Sequence, residues 1–236
     1  MKKLLALLFA GIFVIMSCST PAAAPAEKLR ILAEDYPPYN YVDAKGTVVG
    51  QSTDVVKSIM GKLGQDIKIE ILPWAQAYQL TLSDPGTALY SMARTSERER
   101  QFMWVGPIGS FENWLYAKKG SGVQVSSMDE AKAVKTIAAV KNEAGQQKLA
   151  AEGFINFAFT TDIVDGLKKL DAGEVDLWLG GSREDVEIAA KKAGVNPDNL
   201  QPVVFVHKLD IYLAFNKNTA FSTVDAWQKA LDSLTK

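Results

Sequence analysis

The chain has 236 residues, 47% of them hydrophobic and 22% charged, with a formal net charge of −1. This is the composition of a globular protein with enough apolar material for a sizeable core, in one large domain or two smaller lobes. A near-zero net charge leaves no electrostatic footprint for nucleic acid or an acidic membrane, so neither is expected as a partner.

The first residues read as an export leader. Lys2 and Lys3 precede the uncharged run LLALLFAGIFVIM. That run is shorter than the roughly 20 apolar residues of a transmembrane helix and fits the core of a secretion signal. No later stretch of sequence is long and apolar enough to span a bilayer. Two processing readings stay open. IMSC at 15–18 resembles a lipobox, with Cys18, the single cysteine, as the acylated residue. The alternative is cleavage after Ala26, with Ala24 and Ala26 as the small residues. The lipobox is favoured, because cleavage after Ala26 leaves a long polar stretch behind the apolar run. Residues 1–26 are then leader and tether. One cysteine allows no disulfide within the chain.

From there the elements alternate. KLRILAE (28–34) predicts a strand, and YPPYNYVDAKG breaks it into a loop. STDVVKSIMGKLG carries Val55, Val56, Ile59, Met60 and Leu63 at helical spacing, with Ser52 as cap and Gly64 as stop. DIKIEIL alternates as a strand, and PWAQAYQLTLSDPG enters a helix at proline and leaves it in a turn. ALYSMA predicts a strand, TSERERQ a short helical turn capped by Thr95, and FMWV and WLYAKKG two further strands. The second half repeats the rhythm. SMDEAKAV is a helix capped by Ser127, KTIAAVK a strand, and EAGQQKLAAEG a helix ending at Gly153. TDIVDGLKKLDAG is a helix, EVDLWLG a strand and SREDVEIAAKKAG a helix. QPVVFVHK and DIYLAFNK read as two strands before a last helix, FSTVDAWQKALDSL. This alternation predicts α/β layers with largely parallel sheets, in two lobes divided near KKGSG.

Reactive constellations are absent from the sequence. His207 is the single histidine and lies in the apolar run VVFVHK, where an ordinary partner at a strand end is the simpler reading. Without a second His or a usable Cys, neither a nucleophile–histidine site nor a standard zinc site can be assembled. No GxSxG, GxxxxGK[ST] or GxGxxG occurs. No cofactor or metal is expected. What remains is recognition chemistry. Aromatic residues cluster in loops, at Tyr36, Tyr39 and Tyr41, then at Trp74 and Tyr78, and arginines sit next to the predicted helix start at Thr95, whose N–H groups and positive dipole end would lie near the same spot. Aromatic walls with a few placed charges are what small-molecule sites use.

Three segments carry a resemblance: DYPPYNYVDAKGTVVGQSTDVV, PWAQAY and SMARTSERERQFMWVGP. In order and spacing they resemble the family-three extracellular solute-binding proteins of bacterial uptake systems, typically for amino acids. The resemblance covers nearly the whole mature chain. It implies a two-lobed type II clamshell, each lobe a mostly parallel sheet flanked by helices. The lobes would be residues 27–116 with 215–236, and 117–214, joined by crossovers at WLYAKK and IYLAFNK. It also implies a periplasmic, monomeric receptor, a small-molecule ligand closed into the cleft, and an ABC permease as membrane partner.

The resemblance places Arg98 on the family's carboxylate-binding arginine, and a guanidinium grips a carboxylate by two parallel charge-assisted bonds. It places Tyr36 and Trp74 as aromatic walls, with Tyr78 beside them, and Ser91 and Ala93 at the strand end facing ligand. Ala93 lacks the hydroxyl often found there, so only its backbone can contribute. Lys141, Glu143 and Gly145 fall in the facing loop of the second lobe. Arg94 is a second cation near the clamp. The aspartate that usually holds an α-ammonium is replaced by Gly181, which puts a plain α-amino acid in doubt and leaves Glu34 and Asp35 to supply the negative charge, with Glu34 as the ammonium partner. Glu97, Glu99 and Arg100 read as solvated scaffolding. Two further readings stand beside the receptor: a periplasmic dehydratase on the same scaffold, with Glu143 as acid or base, and a ligand sensor that docks on a signalling receptor.

Overall fold

The computed structural model describes residues 29–234; the leader readings, Cys18 among them, lie outside the described residues. The architecture is a mixed α/β sheet with helices on its faces. One eight-stranded sheet runs β4-β1-β5-β10-β6-β9-β7-β8. In chain order the early strands are β1 (Arg30–Ala33), β4 (Ile69–Ile71) and β5 (Thr87–Ala93), with a small hairpin of β2 (Tyr41–Val42) and β3 (Val48–Val49) inside the predicted loop. The later strands are β7 (Ile137–Val140), β8 (Phe157–Thr160) and β9 (Leu177–Gly180). Within β4-β1-β5 and within β9-β7-β8 all pairings are parallel. These two groups are the first and second halves of the sheet.

Two long strands join the halves. β6 (Phe102–Lys118) and β10 (Leu200–Asn216) pair antiparallel along 17 residues each. Residues 211–215 of β10 also pair with β5, and residues 114–117 of β6 with β9. Each was expected as two separate strands. The pairing absorbs irregularities as register shifts, one of them just after Pro202.

The helices are α1 (Gln51–Lys62), α2 (Trp74–Ser83), α3 (Met128–Ala133), α4 (Ala144–Ala151), α5 (Ile163–Ala172), α6 (Arg183–Ala193) and α7 (Phe221–Asp232). Ser127 caps α3 as predicted, accepting the Glu130 N–H. The cap expected at Ser52 is not there. Gly50 holds that position at φ 126, and Ser52 is buried inside α1. Only glycine fits at 50, because a Cβ would meet the Tyr39 carbonyl oxygen at 2.5 Å. Residues 96–101 form turns rather than a helix, with the Thr95 carbonyl accepting the N–H groups of Arg98 and Glu99. The helix-end dipole expected at Thr95 therefore does not arise.

The core follows the parallel strands. Ile31, Leu32 and Leu89 are fully buried in the first half, and Leu115, Ile137, Leu149 and Leu177 in the second. α7 returns to the first half and packs on α1 and β6, with Trp227 fully buried and its ring 5.5 Å from Phe215. Two aromatic side chains buried this way contribute a gross transfer free energy on the order of 5 kcal/mol. Among the described residues no helix is long and apolar enough to cross a membrane.

Candidate functional site

A cleft opens where the ends of β1 and β5 face the loop before α4. Each early strand delivers its side chains to the same edge. β1 ends at Ala33, so Glu34 and Tyr36 follow at the rim; β5 ends at Ala93, bringing Ser91 and Ala93 beside them. These four line one cavity with Trp74, Arg98 and Glu143. Phe111, Asn113, Ala144 and Gly145 complete it. The space enclosed is about 20 Å³, enough for a single water. The walls are in contact across it.

Arg98 is the centre of the arrangement. It is 1% exposed, with its guanidinium 5.2 Å from the Trp74 ring and 5.4 Å from the Tyr78 ring. Nη1 donates to the Ala93 carbonyl at 3.2 Å. Nη2 donates across the cleft to the Asn142 carbonyl at 2.7 Å and to Gln147 Oε1 at 3.0 Å. Burial lowers its pKa from the ordinary value, yet an arginine stays cationic at any working pH. Its Nε–H is buried without a partner, as is the indole N–H of Trp74.

Two carboxyls face this cation. Glu34 is buried and Glu143 half-buried, and both line the one cavity. Burial, then the neighbouring Glu143, hold the Glu34 carboxyl well above the usual carboxylate range. Burial raises Glu143 too, against the pull of Arg98. Two carboxyls lining one dry cavity each disfavour ionisation of the other.

The aromatic wall is Tyr36, stacked on Tyr39 at 5.4 Å and edge-on to Phe111 at 6.4 Å. Ser91 sits at φ 59, and its hydroxyl donates to Asn40 Oδ1, while Asn40 Nδ2 donates to the Glu34 carbonyl at 2.7 Å. That chain fixes the backbone from which Glu34 projects. Ala93 contributes its carbonyl to Arg98.

Three candidates fall outside the cavity. Arg94 turns outward, pairs with Glu99 at 2.6 Å and stacks on Trp104 and Tyr212. Arg94 is the first residue past the end of β5 and does not share the face that Ala93 lines. Tyr78 supports Arg98 from behind and gives its hydroxyl to Gln101 at 3.0 Å. Lys141 is exposed and lies over the Phe159 ring. Asn113 and Phe111 were missed in the sequence. They project from the middle of β6, which was read as a gap between strands. Asn113 Oδ1 meets His207 Nε2 at 2.7 Å, which gives the histidine its ordinary partner.

Gly181 does not leave an open place. A Cβ there would meet Asp185 Oδ2 at 2.6 Å. Asp185 itself is spent, taking the Ser182 N–H at 2.9 Å in the capping box of α6 and the Tyr39 hydroxyl at 3.1 Å.

The sequence profile of the bacterial extracellular solute-binding proteins, family 3, matches residues 29–236. The chain belongs to this family. No curated protein matches it in sequence. Among solved structures, this solute-binding protein is similar to a histidine kinase sensor domain with similarity to periplasmic binding proteins: TM-score 0.78, 17% identity, covering 89% of this chain and 91% of that one. It is similar to holo ArgBP from T. maritima, with TM-score 0.76 and 19% identity over 88% of this chain and 91% of that one. A Salmonella typhimurium periplasmic binding protein described for high arginine specificity gives TM-score 0.73 and 16% identity, over 88% and 93% of the two chains. At these identities the likeness concerns the fold.

Proposed function

We propose that this solute-binding protein is an extracytoplasmic receptor that captures a small amino-acid-like solute between its two lobes and delivers it to an ABC permease. The observation that carries the reading is Arg98. A buried guanidinium, walled by Trp74 and Tyr78, is bonded to Ala93 on one side of the cleft and to Asn142 and Gln147 on the other. A solute carboxylate meeting this group, with the free Nε–H beside it, engages both lobes at once. A ligand that touches both lobes stabilises only the closed state, and this differential affinity drives closure. Arginine-binding proteins among the structures of similar fold support an amino-acid-like ligand.

We place the lobe crossings where strand partners change, at residues 109–113 of β6 and 207–210 of β10, earlier than the boundaries expected at 116/117 and 214/215. Export, with Cys18 as a lipid anchor, and a monomeric state belong to the same reading.

The test is a thermal-shift screen of small metabolites on purified, ligand-stripped protein. Binding to the native state alone raises its stability, so a narrow class of solutes should raise the melting temperature. Turnover of the hit would replace the receptor reading with an enzymatic one, for which the protonated Glu34–Glu143 pair supplies an acid.

A further inference from the structure

Glu34 follows β1 and Glu143 precedes α4, so the two carboxyls line the one small cavity from opposite sides of the cleft. Of the other acids nearby, Asp185 is already bonded to Ser182 and Tyr39, and Asp162 caps α5 by accepting the Asp165 N–H. Glu34 and Glu143 are thus the acids left to meet a cation. The groups facing them are the Arg98 cation, Asp162 at the start of α5 and the Tyr36 phenol. An independent feature marks the same cavity as built for a polar guest. Arg98 and Trp74 are 1% and 4% exposed, and each lines it with an N–H that has no partner. Glu143 Oε1, likewise withdrawn from solvent, is an acceptor with no donor.

Charge balance then selects the guest. A dry site pays heavily for net charge. With one shared proton the pair carries one negative charge, which Arg98 cancels. A solute of net charge +1 restores that balance only if the proton leaves. A neutral zwitterion leaves the proton where it is.

We propose that Glu34 and Glu143 hold a proton that ties the two sides of the cleft, and that a solute of net positive charge replaces it as the cleft closes. One O–H bond breaks, its proton passes to solvent, and an N–H of the solute takes its place between two carboxylates. This rests on the cleft being the solute site.

The experiment is titration calorimetry on ligand-stripped protein, in buffers of different ionisation enthalpy and across pH. L-Arginine and L-lysine serve as net +1 probes and L-glutamine as the neutral one. The expected result is release of about one proton per bound L-arginine or L-lysine, with affinity rising about tenfold per pH unit until the pair has titrated. L-Glutamine should release none, and Glu143→Gln should abolish the release. A second measurement needs neither variant nor probe: small-angle scattering of wild-type protein should widen between about pH 5 and about pH 9 as the tie is lost. Binding of L-arginine or L-lysine with no proton release would overturn the inference and leave the receptor reading standing. Failure of all three probes to bind, or scattering that does not change with pH, would also overturn it. The receptor reading falls only if the broader metabolite screen is empty as well.

Discussion

The Tyr39 hydroxyl donates to Asp185 Oδ2 at 3.1 Å, bonding the loop after β1 to the start of α6. The same oxygen takes the Ser182 N–H, and it lies where a Cβ on Gly181 would fall. Lys192 of α6 pairs with Asp35 alongside. The two sides of the cleft are therefore bonded outside the cavity as well as through Arg98.

Tyr39→Phe removes that hydroxyl and keeps the ring stacked on Tyr36. A hydrogen bond to a charged group contributes about 1.5–3 kcal/mol, so the closed state should weaken and solute affinity should fall roughly tenfold or more. Calorimetry of wild type and variant checks this. Equal affinity would mean the bond does not hold the closed form.

Gly181→Ala forces the new methyl group against Asp185 and disturbs the capping box of α6. Overpacking and a damaged cap should destabilise the protein by about 1–3 kcal/mol, read by chemical denaturation. Gly181→Asp should be worse for the same reason, and should not create a new site for an amine. An unchanged denaturation midpoint would contradict this placement of Asp185.

His207 makes stability depend on pH. Burial pushes its pKa down to about 4 from an ordinary 6.5. The folded value lies below the unfolded one, so its contribution is fully present above about 6.5 and is lost as pH falls through 4. Glu34 and Glu143 act in the opposite direction. Their folded values are raised, so their contribution is full below the ordinary 4.5 and is lost as pH rises through the raised range. Melting temperature against pH should show both limbs. His207→Gln should flatten the acidic limb alone, and no change in that limb would contradict the assignment.

Local patterns in the sequence carried much of the fold. Apolar spacing fixed α1, α5 and α7, and alternation fixed β4. The β5 strand end, with Tyr36, Trp74 and Arg98, was legible because short segments bring those side chains to one edge. What stayed hidden was set by distant partners. β6 and β10 are continuous because each pairs with the other through its irregular residues, which no local pattern reveals. The short strand β8 was passed over for lack of alternation. Arg94 and Arg98 look alike in SERER and its flank, yet β5 turns one outward and the turn after it turns the other in. The placing of Glu34 and Glu143 in one cavity, more than a hundred positions apart, leaves no trace in spacing.

The role of Arg98 is the central claim, and the most direct test compares solute binding by wild-type protein and Arg98→Lys. Lysine keeps the charge but cannot reproduce the planar fork that reaches Ala93, Asn142 and Gln147. Disrupting a buried, hydrogen-bonded charge costs about 2–5 kcal/mol. The account predicts that calorimetry with the solute found by thermal shift shows an affinity loss of at least about 30-fold, in a variant that circular dichroism shows to be folded. A folded Arg98→Lys that binds the solute as tightly as wild type would contradict it.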